Sequence, residues 1–207
     1  ANSGGAAFGL YVALPSGGPL VALPAAAIPT ARVQVIHNSA DLAAAQVDVW
    51  LNNAPLINDF TFRTASPFVD AQAGVPFDVS IALPTSTDTV SALARFTYTL
   101  AEGETYILIA NGIVSASGYS PATPFDLYVQ GGARETSNVL GNVDVLVFHG
   151  STDAPIVDVV ETSVPAGTIV SGLSYGEFAG YLELAENDYT LLIETMGTPV
   201  VSYDAPL

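Results

Sequence analysis

Residues 145–159, VLVFHGSTDAPIVDV, repeat in altered form the stretch VQVIHNSADLAAAQVDV of residues 33–49. In both stretches valines recur at every second position before a histidine, His37 or His149, and a Val-Asp-Val run follows a short polar segment. Side chains that alternate in this way are typical of a β-strand with one buried face. Because the histidines lie 112 positions apart and further similarity follows them, the sequence predicts two copies of one module.

The rest of the chain shows the same strand signature. Helical periodicity is nearly absent, and short runs rich in Val, Ile, Thr, Phe and Tyr are separated by Gly, Pro, Asn and Asp. We therefore predict an all-β fold of two tandem immunoglobulin-like β-sandwich modules with an N-terminal β-strand arm. The predicted boundaries are residues 1–30 for the arm or hairpin, 31–135 for the first module and 143–207 for the second, incomplete module. One short helical turn is predicted at residues 40–46. The predicted strands are Arg32–Ile36, Val47–Leu51, Phe60–Phe62, Phe77–Leu83, Arg95–Leu100, Thr105–Ile109, Phe125–Val129, Val143–His149, Val157–Glu161, Gly180–Leu184, Tyr189–Glu194 and Pro199–Tyr203.

The composition argues against several classes of partner. The chain carries 20 acidic residues, four arginines and no lysine, for a formal net charge of −16 at pH 7. Nucleic acids and anionic lipids attract clustered Lys and Arg, so neither is an expected partner. No uninterrupted run reaches the ~18 apolar residues of a membrane-spanning helix, so no membrane span is expected. The chain has no cysteine, and therefore no disulfide or thiolate metal site.

Localisation and surface character follow from the same composition. The chain opens at Ala1 with small polar residues, as a mature exported protein does after its leader is removed, and we expect it to be secreted and located at the cell surface. Only 12% of the residues are charged, while half are hydrophobic. A surface so sparsely charged suits a protein that packs against neighbours rather than one kept apart by charge.

The second histidine motif carries a family resemblance. The pattern His-x-Ser-x-Asp-Ala-Pro-x-Val-Asp-Val, intact at residues 149–159, resembles that of a secreted family described as a domain of unknown function, DUF4397. The resemblance extends from about Arg32 to the C-terminus in two tandem copies, although the first copy has Leu42-Ala43 in place of Ala-Pro and two extra residues. It implies β-sandwich domains in exported microbial proteins, often in tandem, and it implies no activity.

The second copy is shorter than the first. In the first copy the predicted strands Thr105–Ile109 and Phe125–Val129 follow Leu100, whereas the second copy reaches Leu207 at about the position that corresponds to Leu100. A sandwich without its last two strands exposes strand edges and core side chains, which soluble proteins avoid. We therefore expect the second module to need strands from elsewhere.

One of those strands has a counterpart near the N-terminus. Residues 8–12, FGLYV, differ from residues 125–129, FDLYV, at a single position. Residues 7–23 are predicted to form two short strands around the turn at residues 15–18, and a lone hairpin of this kind is not stable in water. The residues expected to form the subunit-interface strand are Phe8, Leu10, Tyr11, Val12 and Leu14, of which all but Tyr11 share one face.

Three arrangements of this arm are open at this point. It could fold back onto the second module of its own chain, or it could insert into the second module of a neighbouring chain by β-strand addition. The chain could also be a piece of a longer array. The third arrangement stays open because the first two leave the counterpart of strand Thr105–Ile109 unaccounted for.

The residues that could carry chemistry favour a structural interpretation. His37 and His149 each end a strand and open a polar loop, where an imidazole is expected to bond to its own turn rather than bind a metal. Asp48 and Asp158 sit within Val-Asp-Val, where alternation alone places them on the solvent face. The carboxylates Asp41, Asp48, Asp153 and Asp158 could in principle hold Ca²⁺, but they lack the spacing of a calcium loop.

The sequence contains no nucleophile elbow, phosphate-binding loop or marked Ser/His/Asp set. We predict no enzymatic activity, no cofactor and no metal. The expected function is that of a structural subunit of an extracellular filament or surface assembly, a head-to-tail homopolymer in which the N-terminal strand enters the second module of the next chain. The alternative is a secreted module that binds carbohydrate or another surface ligand, for which Trp50 is a candidate exposed platform.

Overall fold

The computed structural model describes residues 9–164 and 166–207, and in that part of the chain it is all-β, with several sheets. The predicted helical turn is present as a 3₁₀ helix, Leu42–Ala44, and none of the described helices is long and apolar enough to cross a membrane. The strands of the first half and of the segment before it are β1 (Tyr11–Val12), β2 (Val21–Ala22), β3 (Thr30–His37), β4 (Gln46–Leu51), β5 (Ala54–Thr61), β6 (Thr64–Ala65), β7 (Val69–Gln72), β8 (Phe77–Ala82), β9 (Ala94–Tyr98), β10 (Thr105–Asn111) and β11 (Asp126–Gly131). The strands of the second half are β12 (Asn142–Phe148), β13 (Val157–Glu161), β14 (Gly167–Leu173), β15 (Phe178–Ala185), β16 (Asp188–Thr195) and β17 (Thr198–Pro206).

In the first half, two sheets enclose one hydrophobic core. One sheet has the order β11-β10-β3-β6, with β7 also paired to β3, and the other has the order β5-β4-β8-β9. Strand β10 runs parallel to β3 and antiparallel to β11. The period-2 pattern of β3 turns Val33 and Val35 inward, where they pack against residues of the facing sheet such as Val49 and Ile81.

In the described chain the second half has six strands against nine in the first, and it repeats most of these pairings. Strand β12 pairs with β15 as β3 pairs with β6 and β7, and the sheet β14-β13-β16-β17 has the neighbour order of β5-β4-β8-β9. Among the described residues nothing occupies the positions that β10 and β11 hold in the first half.

Several sequence predictions need correction. Strands β6, β7 and β14 are absent from the predicted set, because β6 and β7 are only two and four residues long and the β14 sequence GTIVSGL lacks a clear alternation. Asp48 was placed on the solvent face but is buried, since β4 and β5 change register at this point and the Asp48 carboxylate accepts a hydrogen bond from the Asp59 backbone N–H at 2.8 Å. Asp158 does the same for the N–H of Gly172 at 2.7 Å.

The two halves contact each other through the outer face of the β10–β11 pair. The Tyr128 ring lies 5.2 Å from that of Phe148, centroid to centroid, and the Asn111 side-chain amide donates to the Gly150 carbonyl at 2.9 Å. At the other end of β12, Arg134 forms a salt bridge with Asp144 at 2.7 Å. One edge of β12 pairs with β15. In the described chain its other edge pairs with no strand, although Phe148 of β12 packs against the first half.

The segment before β3 forms a separate hairpin. Strands β1 and β2 are antiparallel and pair with each other, and within the described residues neither pairs with any other strand. The turn between them begins at Leu14, whose carbonyl accepts from the Gly17 N–H at 2.9 Å. Every residue from 9 to 30 is exposed. Phe8, the first residue of the predicted interface strand, lies outside the described residues.

Candidate functional site

The edge of strand β12 is the most unusual feature of the second half. Its counterpart β3 is hydrogen-bonded on both sides, to β10 on one edge and to β6 and β7 on the other. Strand β12 is bonded to β15 on one edge and, in the described chain, to no strand on the other. A free strand edge presents a row of backbone N–H and C=O groups that another strand can bind.

A cleft of about 440 Å³ opens beside that edge into the core of the second half. Val147 of β12, Val159 of β13 and Ile193 of β16 line the cleft, and of these Val147 and Ile193 are only half-buried. The other lining residues include Val157 and Leu173, the β17 residues Val200, Val201 and Tyr203, and at the mouth Asn38, Phe62, Arg63 and His149.

Residues at equivalent positions of the two halves differ in burial. Val33 and Val35 on β3 are 7% and 5% exposed, whereas Val145 and Val147 at the same positions of β12 are only half-buried. The core of the first half contains fifteen buried hydrophobic residues and that of the second only four in the described chain. Leu108, Ala110 and Leu127, from β10 and β11, account for part of that difference.

An aromatic residue on β17 marks the other wall of the cleft. By strand register, Tyr203 opposite Leu191 occupies the position of Phe96 opposite Val79 in the first half. The Phe96 ring packs 6.3 Å from Phe125, the residue directly before β11. Tyr203 has no such neighbour in the described chain and is 59% exposed. It is therefore a site where an aromatic residue of an added strand would fit.

The two histidines hold their own loops, as the sequence predicts. The His37 Nε2 donates to the Ala44 carbonyl at 2.7 Å, and the His149 Nε2 donates to the Pro155 carbonyl at 2.9 Å. In each loop Nδ1 accepts from a backbone N–H two residues on, at 3.4 Å. The shared geometry explains the repeated His-x-Ser pattern, because the imidazole fixes the turn that leads from one sheet to the other.

Burial of His37 should make the protein less stable in mild acid. Burial lowers the pKa of the His37 imidazole below its ordinary value of 6.5, against the opposing effect of its bond to Ala44. The unfolded chain therefore binds more protons as the pH falls below about 6.5, and the free energy of unfolding decreases over that range. We expect the urea midpoint to fall more between about pH 7.5 and pH 5.5 in the wild type than in His37→Gln, which can still donate to Ala44. Equal falls in the two proteins would contradict this assignment.

The buried carboxylates are saturated by backbone donors. Asp41 accepts from the N–H groups of Ala43, Val114 and Ser115 at 2.9, 2.8 and 2.6 Å. Burial raises the pKa of Asp41, but these hydrogen bonds outweigh burial and hold that pKa below its usual value. The pKa of Glu161 is lowered for the same reason, by bonds from Ser163 and Val164. In residues 9–164 and 166–207 no group of three or more metal-ligating side chains lies together.

Trp50 does not offer a sugar platform. The side chain predicted as a candidate exposed ring is 8% exposed, and its indole Nε1 is buried without a hydrogen-bond partner among the described residues. Bulged pairing between β4 and β5 sets its orientation, which alternation alone does not predict.

The structure does not bring the predicted interface residues to the cleft within one chain. Leu10, Val12 and Leu14 lie on the free hairpin and are 66%, 41% and 49% exposed, and Tyr11 is also exposed. The second strand of that hairpin, β2, begins at Val21 and is one of the two short strands predicted within residues 7–23. Its signal is the apolar run of residues 20–23, LVAL, between two prolines.

Comparison with known proteins agrees with the motif resemblance in one half only. Residues 31–128 match a family model described as "Domain of unknown function (DUF4397)". The matched region covers β3 to the first residues of β11. No curated protein matches the chain.

Proposed function

We propose that the chain is two tandem immunoglobulin-like modules, of which the second is incomplete, and that it is a structural subunit of an extracellular filament or surface assembly. The subunits polymerise by donating the N-terminal strand of one chain to the second module of the next. The observation that carries the proposal is the combination, in one chain, of an unpaired β12 edge over an open core and an apolar hairpin with no other partner among the described residues.

The N-terminal strand resembles the start of β11, which has no counterpart in the second half of the described chain. Leu10 corresponds to Leu127, which is 5% exposed within the first core, whereas Leu10 is 66% exposed on the hairpin. Burying an aliphatic side chain contributes roughly 1.5–3 kcal/mol before ordering costs. Leu10, Val12 and Leu14 together therefore supply several kcal/mol, and backbone pairing with a strand edge fixes their register.

Charge and symmetry favour a polymer. Residues 1–30 contain no charged side chain, so the arm approaches a neighbour of net charge −16 without added repulsion. An arm at one end of the subunit and an acceptor at the other make a heterologous contact, which extends head to tail without closing unless the subunits form a ring.

The test is the mass of the full-length protein. We expect light scattering and negative-stain microscopy to show linear polymers that persist on dilution, because release of the arm would uncover a core. A carbohydrate-binding module would instead give a monodisperse monomer. A monomer at all concentrations, with sugar ligands bound or absent, would contradict the proposal.

A further inference from the structure

We infer that the intact hairpin binds the neighbouring chain with β1 directly against β12 and antiparallel to it, while β2 forms the new outer strand. The inference rests on the proposed strand donation and goes further, because it assigns the edge, the direction and the register through which β1 binds. Its partner is a second copy of this chain.

Each strand of the hairpin has one edge bonded to the other strand and one free edge. The Leu23 N–H donates to the Leu10 carbonyl at 2.8 Å, so these two residues form a hydrogen-bonded pair. Tyr11 pairs with Ala22. Because backbone groups of successive residues point to opposite edges of a strand, the N–H and C=O groups of Tyr11 point away from β2. In the described chain that edge of β1 pairs with no other strand.

Strand β11 shows where this free edge lies when the apolar side chains face a core. Residues 8–12 resemble residues 125–129, with Leu10 at the position of Leu127. The Leu127 side chain is buried in the first core, and its carbonyl points away from β10 and accepts from the Tyr98 hydroxyl at 3.1 Å. The Leu10 carbonyl bonds to β2 instead. If β1 keeps the direction and facing of β11, β2 therefore lies on its outer side and its free edge points toward the module.

The free edge of β12 has a matching set of backbone groups. The Gly141 carbonyl and the His149 N–H, one at each end of the strand, form hydrogen bonds toward the side of β15. The odd-numbered residues between them therefore point their backbone groups toward β15. The residues whose backbone groups point to the free edge are Asp144, Leu146 and Phe148.

Direction and register follow from these two edges. Strand β11 is antiparallel to β10, which is parallel to β3, so a strand with the direction of β11 is antiparallel to β12, the counterpart of β3. The free-edge residues in and beside β1 are Gly9, Tyr11 and Ala13. The register that uses all three on each strand places Tyr11 opposite Leu146. Leu10 then lies opposite Val147, which lines the cleft.

This placement turns one face of the hairpin toward the open core. Directly opposite residues of two paired strands share a face. The apolar face of the hairpin therefore consists of Leu10, Val12, Val21 and Leu23. These side chains are 66%, 41%, 46% and 44% exposed on the free hairpin. In the inferred contact they cover the cleft beside the half-buried Val147.

Strand β2 suits the outer position better than the inner one. With β2 against β12, its free edge would present Leu20, Ala22 and Pro24, and proline has no N–H to donate. The free edge of β1 has an N–H at each of residues 9, 11 and 13. Proline within a sheet is confined to edge strands, which is where β2 lies in the inferred contact.

Engineered cysteine pairs test the strand order. As a hydrogen-bonded antiparallel pair, Tyr11 and Leu146 would have Cα atoms about 5.5 Å apart, within reach of a disulfide. Ala22 lies opposite Tyr11 in the hairpin and on the same face, but it would be two strands, or about 9.6 Å, from β12. The natural chain has no cysteine, so cross-links arise only from the introduced pairs.

We expect oxidised assemblies of Tyr11→Cys/Leu146→Cys to give a ladder of cross-linked chains on a non-reducing gel. The matched control, Ala22→Cys/Leu146→Cys, should give only monomer. A ladder from the Ala22 pair alone would place β2 against β12 and overturn the strand order.

Two further pairs test the direction of β1. Val12→Cys/Val145→Cys, directly opposite in the antiparallel register, should repeat the ladder. Leu10→Cys/Val145→Cys, a diagonal pair about 7–8 Å apart, should give only monomer. A ladder from the Leu10 pair alone, or assemblies in which neither the Tyr11 pair nor the Val12 pair cross-links, would overturn the inferred contact and leave strand donation standing. Absence of assembly in the wild type would overturn the proposed function itself.

Discussion

Deletion of residues 1–23 should convert the polymer into soluble monomers that unfold at a lower denaturant concentration than the assembled protein. The deletion removes β1 and β2 and leaves β3 to β17 unchanged. Without the arm, the cleft of the second half stays open and no chain can extend to the next. Light scattering gives the mass of the product, and urea unfolding gives its stability relative to the polymer.

Substitutions in the full-length chain test the contact of the arm with the core without removing the arm. Leu10→Asp should also give monomers, because the equivalent Leu127 is buried and a carboxylate there is costly to desolvate. Ala13→Gln is the matched control, because Gln130 occupies the equivalent position of β11 and is tolerated there. Polymers of normal length from the deleted chain, or from Leu10→Asp, would show that the arm does not join subunits.

Aspartate at equivalent positions of the two halves should have different effects: at Val35 it should mainly reduce stability, and at Val147 it should mainly prevent assembly. Val35 is buried between complete sheets, so Val35→Asp leaves a buried charge and should destabilise the first half by more than about 4 kcal/mol. Val147 is half-buried beside the cleft, where a carboxylate keeps part of its hydration. Val147→Asp should therefore cost the monomer only about 1–2 kcal/mol but prevent assembly.

Urea unfolding gives the stability of both variants, and light scattering gives their mass. Each variant serves as the control for the other. The expected outcome is a folded, monomeric Val147→Asp protein and a destabilised Val35→Asp protein. Assembly of Val147→Asp at the wild-type level would show that the cleft is not the acceptor.

The sequence predicted the parts of the fold that depend on local pattern. Alternating valines before His37 and His149 mark β3 and β12, and the repeated motif anticipates the loops that the imidazoles hold. The hypothesis that the second module is incomplete comes from the repetition, which supplies an internal reference for length. The match between residues 8–12 and 125–129 identified the arm as a candidate partner.

What the sequence did not predict depends on contacts across the chain. Burial of Asp48 and of Trp50 follows from changes of register between β4 and β5, which alternation does not encode. The position of β10 between β3 and β11 is likewise a non-local pairing.

The most direct test of the central claim mixes two chains that cannot assemble alone. A chain lacking residues 1–23 keeps the acceptor but has no arm, and the Val147→Asp chain keeps the arm but has a blocked acceptor. If the arm of one chain enters the second module of another, an equimolar mixture should form a one-to-one dimer that grows no further, and light scattering should give the summed mass of the two chains. Two unchanged monomers in the mixture would contradict donation between chains.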